Sequence, residues 1–346
     1  MRPLAPLAAL YGAAVAAREA CLRHGVLSRW AIHRPVISAG NLSVGGTSKT
    51  PLVIWLAGRL GAAGRRPGIA LRGYGGAYEG ACERVTDPAA AGAARQWGDE
   101  ACLVALRLPR APVAVARERA LAALSLVRDT GADVVILDDG FQHRRLARDL
   151  DIVLLDSRAP LGNGSLLPAG PLREPAAALR RAQVVVLSRW SESSDAQRRA
   201  AEDLVRRLHP EARLARCSLR PDGLRTLDGG ALEAGRLARE GALAFCGIAR
   251  PDSFHSMLEV AGVAPRGLRA FRDHHYFSTL ELDALEAEAA RRGARWLVTT
   301  EKDAVRLDGW RPRSARLAAL RVEVEVDPEQ AVLGPALASC GAGGAS

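Results

Sequence analysis

Val36-Ile37-Ser38-Ala39-Gly40, with Asn41-Leu42-Ser43-Val44-Gly45-Gly46-Thr47-Ser48-Lys49-Thr50-Pro51 directly after it, is the stretch from which the rest of the chain can be read. Its first five residues have the apolar, partly β-branched run of a short buried strand. The next eight are rich in Gly, Ser and Asn, and from about Thr50 to Leu60 apolar residues recur at helical spacing. Strand, Gly-rich loop and helix in that order bend backbone N–H groups around an anion at a helix N-terminus. Lys49 is placed to reach β- and γ-phosphates, and the Thr50 hydroxyl to meet Mg²⁺, so the candidate nucleotide loop comprises Val44, Gly45, Gly46, Thr47, Ser48, Lys49, Thr50 and Pro51. The glycine spacing departs from the strict GxxxxGK[ST] form, because Ser43 and Ser48 stand at the two glycine positions. If position 48 needs φ > 0, a serine there costs on the order of 1 kcal/mol. Taken alone, the stretch reads equally well as a plain Gly-rich turn.

A second segment decides between the two. Val134-Val135-Ile136-Leu137-Asp138-Asp139 is a buried apolar strand ending in two carboxylates, followed by Gly140-Phe141-Gln142-His143-Arg144-Arg145. Phosphate-loop folds place such an Asp beside the Mg²⁺ site, and α/β sheets bind ligands at the C-terminal ends of their strands. Together the segments predict a kinase-like site for ATP and Mg²⁺.

The strand and helix pattern recurs outward from this pair. Arg66–Leu71, Pro112–Val115, Asp133–Leu137, Ile152–Leu155 and Val184–Leu187 read as strands, and Glu100–Leu108 and Arg117–Thr130 as helices. Apolar β-branched runs alternating with helices predict a mainly parallel sheet covered on both faces, a three-layer α/β/α phosphate-loop domain. Near 213–229 the turn signals Pro221-Asp222-Gly223 and Asp228-Gly229-Gly230 predict a β-hairpin linker. Beyond it, strands at Ala242–Cys246, Trp296–Thr299 and Leu320–Val326 and helices near Asp252–Val260 and Thr279–Arg292 predict a smaller α/β domain. The expected division is a helix within 1–30, a kinase domain at 31–212, a two-stranded linker at 213–235, a second domain at 236–335 and a flexible tail at 336–346.

Forty-eight Lys and Arg against 38 Asp and Glu leave a formal charge of +10. That suits nucleic acid, phosphorylated metabolites or acidic lipid, or simply reflects Arg written onto solvated faces. Six scattered cysteines form no CxxC pair and no metal-ligand spacing, which fits a reducing compartment. The uncharged run Pro3 to Ala17 is too short to span a bilayer, which needs roughly 20 apolar residues. It fits a signal peptide tolerably, but export would carry an ATP site away from ATP. As an interfacial helix, Leu4, Leu7, Leu10, Tyr11 and Val15 supply the apolar face and Arg2, Arg18, Arg23, Arg29 and Arg34 meet lipid phosphates. An ordinary first helix packed on the core is the remaining reading.

Further stretches run in order over nearly the whole chain: Arg72-Gly73-Tyr74-Gly75, Gly98-Asp99-Glu100, Asp138 to Arg145, Leu167 to Glu174 (LPAGPLRE), Asp273-His274-His275 and Thr300-Glu301-Lys302-Asp303-Ala304. With the phosphate loop, this set closely resembles the lipid A 4'-kinase family, which phosphorylates the disaccharide-1-phosphate precursor of lipid A at the cytoplasmic face of the inner membrane. Ser48 departs from the family's usual glycine. The resemblance implies that Lys49 holds the β/γ-phosphates, that Thr50 and Asp138 organise Mg²⁺ with Asp139 in support, and that Glu174 is a further metal carboxylate. Otherwise Glu174 is a surface group paired with Arg173. Phosphoryl transfer to a hydroxyl benefits from an aimed base, and Asp99 is the candidate. The resemblance implies that it works with a histidine of the Asp273-His274-His275 triplet, His274 being preferred to His275. Tyr74, Arg119, Gln142 and His143 resemble residues that meet the acceptor disaccharide or its phosphate. The partners so implied are the lipid-borne acceptor and an anionic membrane surface, with the chain a monomer and no nucleic acid bound. A phosphate-loop enzyme acting on a soluble anionic metabolite is the alternative within enzymes. A nucleotide-regulated scaffold or nucleic-acid binder is the alternative outside them.

Overall fold

In the computed structural model, which describes residues 4–46 and 48–342, the chain begins with α1 (Ala5–Arg23), β1 (Val36–Asn41), α2 (Lys49–Ala62), β2 (Pro67–Leu71) and β3 (Cys82–Arg84). It continues through α3 (Ala93–Trp97), α4 (Asp99–Arg107), β4 (Val113–Ala116), α5 (Arg119–Thr130), β5 (Val134–Asp138), β6 (Leu150–Asp156), β7 (Val184–Ser188) and α6 (Asp195–Leu208). The remainder comprises β8 (Arg213–Thr226), β9 (Ala231–Leu232), α7 (Ala234–Glu240), β10 (Ala242–Cys246), α8 (Pro251–Val260), β11 (Leu268–Ala270), α9 (Thr279–Arg291), β12 (Trp296–Thr300), α10 (Glu301–Val305), β13 (Arg316–Asp327) and α11 (Gln330–Ala342).

The strands form one sheet in the order β11-β10-β12-β13-β8-β7-β6-β1-β5-β2-β4-β3, with β9 added beside β8. Pairing is parallel except at β13/β8, β8/β9 and β3/β4. The central strands are buried along their length, and alternation on β1 shows why. Ile37 and Ala39 pack with Leu52, Leu56 and Leu60 of α2 on one face, whereas Val36 packs with Ala122, Ala123 and Leu126 of α5 on the other. Both faces must be apolar when helices cover both, so the continuous hydrophobic runs are the expected signature.

Two expectations are corrected here. The segment 213–235 is not a self-contained two-stranded linker: β8 is one long strand whose main partner is β13, from Arg216↔Asp327 to Thr226↔Ala318, and only a short hairpin to β9 is local. The connection between the two halves of the sheet is therefore made by strands about a hundred positions apart. The C-terminal stretch, expected as a flexible tail at 336–346, is helical to Ala342, and residues 343–346 lie outside the described residues. Val332, Ala336 and Cys340 of α11 return to the core beneath α2, so the chain ends on the half in which it began.

Candidate active site

β1 and β5 are parallel neighbours, Ala39 opposite Asp138, so the loop after one strand and the carboxylates ending the other meet at the same edge of the sheet. Gly45 has φ 115°, a conformation that only glycine adopts without strain, and Gly46 gives its carbonyl to Arg189 at 2.5 Å. Val44 is tied by its N–H to Pro171 at 2.8 Å, within the 167–174 stretch. Ser48 has φ 62° and ψ 30°, so the left-handed turn suspected at this position is present and a serine occupies it. Ser43 carries no such demand; it forms a bridge with Leu172 instead. Thr47 lies outside the described residues. Pro51 is the third residue of α2, where a missing N–H costs no helical bond, and it faces a groove behind the loop beside Ile54 rather than the cleft.

Thr50 Oγ1 donates to Asp138 Oδ2 at 2.9 Å, and Lys49 Nζ stands 3.6 Å from Asp139 Oδ1. Burial pushes the Asp138 carboxyl up to about 7, with Glu100 adding to the rise and Lys49 opposing it. Burial also acts upward on Asp139, but Lys49 and Arg173 together hold it below the usual carboxylate range. Asp139 Oδ1 is buried with no hydrogen-bond donor, although Arg173 satisfies Oδ2 at 2.8 Å. A buried carboxylate that is costly to ionise, beside an orphaned acceptor and a hydroxyl, is a donor set that a divalent cation completes. Glu174 is not part of it: its carboxylate pairs with Arg181 at 2.6 Å and faces a small cavity beneath α1. The alternative expected for it, an ion pair with Arg173, is also absent. Among the described residues no three His, Cys, Asp or Glu side chains converge as a preformed metal cage. Mg²⁺ does not require one, since it usually takes one or two carboxylates plus phosphate and water.

Lys49, Asp138 and Asp139 open onto a cleft of about 710 Å³. Of the residues expected for the acceptor, Tyr74, Arg119, Gln142 and His143 all line it. Arg119 is 1% exposed and donates to the Ala116 carbonyl at 2.8 Å, while its Nε has no partner. Burial lowers its pKa to about 10, which leaves it cationic at neutral pH. Burial first and the charge of Arg119 second push His143 down to about 4, with Arg72 and Arg18 contributing, so that ring is neutral. Gln142 donates to the Asn41 carbonyl at 2.9 Å. The result is a cationic recess beside the carboxylates.

The far wall comes from the other half of the sheet. His274, at φ 57°, directs Nδ1 to within 3.0 Å of Asp99 Oδ2. Asp99 is 2% exposed and sits behind the ring instead of lining the cleft. Its position depends on Gly98, where a Cβ would meet the Tyr74 carbonyl at 2.7 Å, so a larger residue would separate the two loops. Burial works to raise the Asp99 pKa, yet the His274 hydrogen bond and the charges of Lys302 and Arg306 hold it below the ordinary value. His275 turns away, bonding Glu281 at 3.1 Å and stacking on Phe271. It is therefore a packing residue of its own half.

Several cleft residues went unassigned in the sequence. Arg72 and Lys302 lay inside singled-out stretches but had no role. Arg173, which bonds Asp139, Gln142 and Asn41 Oδ1, looked like an ion-pair partner for Glu174. Tyr11 and Arg18 come from α1, where Tyr11 was expected on the outer apolar face; it instead donates to the Arg173 carbonyl at 2.9 Å, and Arg18 donates to the Gln142 carbonyl at 3.0 Å.

The chain is similar to known proteins over most of its length. The family model described as Tetraacyldisaccharide-1-P 4'-kinase matches residues 1–339. A tetraacyldisaccharide 4'-kinase from Anaeromyxobacter dehalogenans (strain 2CP-C) is 46% identical, the match covering 97% of this chain and 89% of that protein. One from Syntrophus aciditrophicus is 40% identical over 85% of this chain and 81% of its own. The solved structure of an "apo" form LpxK from Aquifex aeolicus in complex with ATP superposes with a TM-score of 0.76 at 28% identity, covering 97% of this chain and 98% of that one. With a phosphate loop, a carboxylate pair and an Asp–His pair gathered around one cleft, and relatives matching from end to end, the chain belongs to the tetraacyldisaccharide-1-P 4'-kinase family.

Proposed function

We infer that the chain transfers the γ-phosphate of ATP to the 4'-hydroxyl of tetraacyldisaccharide 1-phosphate, in a Mg²⁺-dependent reaction at the membrane surface. The observation that carries this reading is the single cleft onto which Lys49, Asp138 and Asp139 open from one side and His274, backed by Asp99, from the other.

Lys49 and the loop N–H groups bind and orient the triphosphate, with Arg189 fixing the loop through Gly46. Thr50, Asp138 and Asp139 would hold Mg²⁺, which supplies neutralisation of the charge on the β- and γ-oxygens. Arg119, with Arg72 and Arg18 nearby, recognises the acceptor's 1-phosphate. Tyr74, Gln142 and His143 orient the sugar. The Asp99–His274 pair takes the hydroxyl proton, the ring accepting it at Nε2 while Nδ1 faces Asp99, and the carboxylate supplying the charge that makes the pair basic. The ring and carboxylate come from different halves of the sheet, so the base exists only where the two halves meet, as they do here at 3.0 Å.

The acceptor's acyl chains keep it in lipid, and α1 provides a means of reaching it. Leu4, Leu7 and Leu10 are 41, 52 and 69% exposed, on a helix whose Tyr11 and Arg18 meet the cleft. No described helix is long and apolar enough to cross a membrane. The need for ATP puts the interfacial helix on the cytoplasmic side. Transfer of label from [γ-³²P]ATP to the tetraacylated disaccharide 1-phosphate tests the reading. No labelled lipid, or labelling insensitive to both Lys49→Ala and Asp99→Ala, would sink it.

A further inference from the structure

The stretch Thr300 to Ala304 has as yet no part in the reaction, and the structure sorts its residues by what they touch. Thr300 caps α10, with its Oγ1 accepting from the Asp303 N–H at 3.0 Å. Asp303 is held by Arg306 at 2.5 Å and by the Gly247 N–H at 3.0 Å. Glu301 reaches the other way, to Arg107 of α4 at 2.7 Å. Of the five, only Lys302 lines the cleft. Its Nζ lies 3.3 Å from His274 Nε2, 3.3 Å from Glu100 Oε1 and 3.9 Å from Asp99 Oδ2.

An ammonium has three donors and no lone pair, so the nitrogen it contacts must be the unprotonated one. Nδ1 then carries the hydrogen and donates it to Asp99 Oδ2, and a single tautomer satisfies both contacts. An imidazolium would set an N–H against the ammonium. The other groups facing the ring are Asp273 beside it, Glu100 on α4, Arg306 acting through Asp99 at 3.5 Å, and the Tyr74 ring with its centroid at 5.7 Å.

We propose that Lys302 is a positioning residue for phosphoryl transfer: its ammonium holds His274 as the neutral Nδ1–H ring with the Nε2 lone pair kept for the acceptor hydroxyl, which takes the ammonium's place. This rests on the reading of the Asp99–His274 pair as proton acceptor. In the step so arranged, the hydroxyl oxygen bonds to the γ-phosphorus, its proton passes to Nε2, and the bond to the β-bridging oxygen breaks with its electron pair leaving on ADP. The displaced ammonium retains Glu100. Without Lys302, the Asp99 hydrogen bond, which foremost raises the proton affinity of His274, would be opposed only by burial, and Nε2 would stay protonated to higher pH.

The test is ¹⁵N-histidine labelling of the full-length protein, which has seven histidines, with His274→Gln to identify the ring signals. Long-range ¹H–¹⁵N correlation reads tautomer and titration in wild type, Lys302→Met and Lys302→Arg, beside pH profiles of kcat/KM. The wild-type ring is expected as the Nδ1–H tautomer above its midpoint, and Lys302→Met should raise that midpoint by roughly one unit. The acid limb of kcat/KM should move with it, KM for ATP should be unchanged, and Lys302→Arg should restore the wild-type profile. A midpoint and tautomer unaltered in Lys302→Met would overturn the proposal. If the ring titration moves while the acid limb does not, the hold of Lys302 on His274 stands and the proton-acceptor role of the pair fails.

Discussion

Thr50 Oγ1 donates a 2.9 Å hydrogen bond to Asp138 Oδ2, joining the first turn of α2 to the end of β5 across 88 residues of sequence. The bond places a hydroxyl and a carboxylate where a cation can meet both, at the cost of a carboxylate that burial discourages from ionising. Asp138→Asn keeps the shape and removes the charge. Transfer should fall by at least about 100-fold, as for loss of other charge-stabilising groups at a reaction centre. Stability without metal should be maintained or increased, and the Mg²⁺-dependent rise in melting temperature seen with a non-hydrolysable ATP analogue should vanish. Scanning fluorimetry with and without Mg²⁺ reads both, and full protection in the variant would remove Asp138 from the cation site.

Ser48 shows how a left-handed residue can be tolerated at a catalytic turn. Ser48→Gly relieves backbone strain but frees the unfolded chain, so the two effects nearly cancel and stability should move by less than about 1 kcal/mol. Ser48→Val puts a β-branched side chain at φ 62° and should cost roughly 2 kcal/mol while weakening ATP binding. Denaturant melts and ATP titrations decide the matter: equal behaviour of Gly and Val would show that the loop does not hold this φ in solution.

The contrast between Ser43 and Ser48 also marks what could be read from the chain alone. The order of strand, loop and helix around Lys49 was legible because periodicity and glycine content are local properties. So were the buried runs of β5 and β7. The pairing of β8 with β13 was not, since nothing local to 213–235 announces a partner near 316–327. The same limit explains the cleft. Asp99 and His274 were found through their stretches, but Tyr11, Arg18 and Arg173 became site residues only when α1 and the 167–174 segment folded over the strand ends. Glu174 and His275 failed for the complementary reason: each adjoins a true cleft residue in sequence, and its side chain leaves in another direction.

Coupling between Asp99 and His274 links stability to pH in a definite direction. Asp99 is held below its ordinary 3.8, so its contribution is present above that value and is lost as pH falls through the lowered pKa. His274 is raised above 6.5, chiefly by the Asp99 hydrogen bond, so its contribution is full below 6.5 and is lost as pH rises through the raised pKa. The difference in melting temperature between wild type and His274→Gln should therefore be largest between about pH 4 and 6.5 and shrink above it. A difference that grows from pH 6.5 to 8.5 would contradict the pairing.

Arg119 lies almost wholly buried with one nitrogen unpartnered and its charge retained, an arrangement suited to an anion entering the recess. Arg119→Met should raise KM for the 1-phosphorylated acceptor by about 10- to 100-fold, the range for losing hydrogen bonds to a charged group. KM for ATP should hold, and an acceptor lacking the 1-phosphate should be used equally by wild type and variant. Because a buried Arg also supports its surroundings, Arg119→Lys serves as the folded control. A variant that handicaps both acceptors alike would mean that Arg119 does not read the phosphate.

Helix α1 combines two faces whose effects can be separated. Leu4, Leu7 and Leu10 point outward, whereas Tyr11 and Arg18 fasten the helix to Arg173 and Gln142 at the cleft, with Glu19 paired to Arg144 below. Replacing the three leucines by serine removes roughly 2 kcal/mol of apolar burial per side chain from any lipid contact and leaves the cleft intact. Sedimentation with anionic vesicles should fall sharply while turnover of detergent-dispersed acceptor persists. Deleting residues 1–23 should abolish both, because Arg18 and Tyr11 leave with the helix. Were the deletion to keep detergent-phase turnover, α1 would be a membrane anchor and no part of the acceptor site.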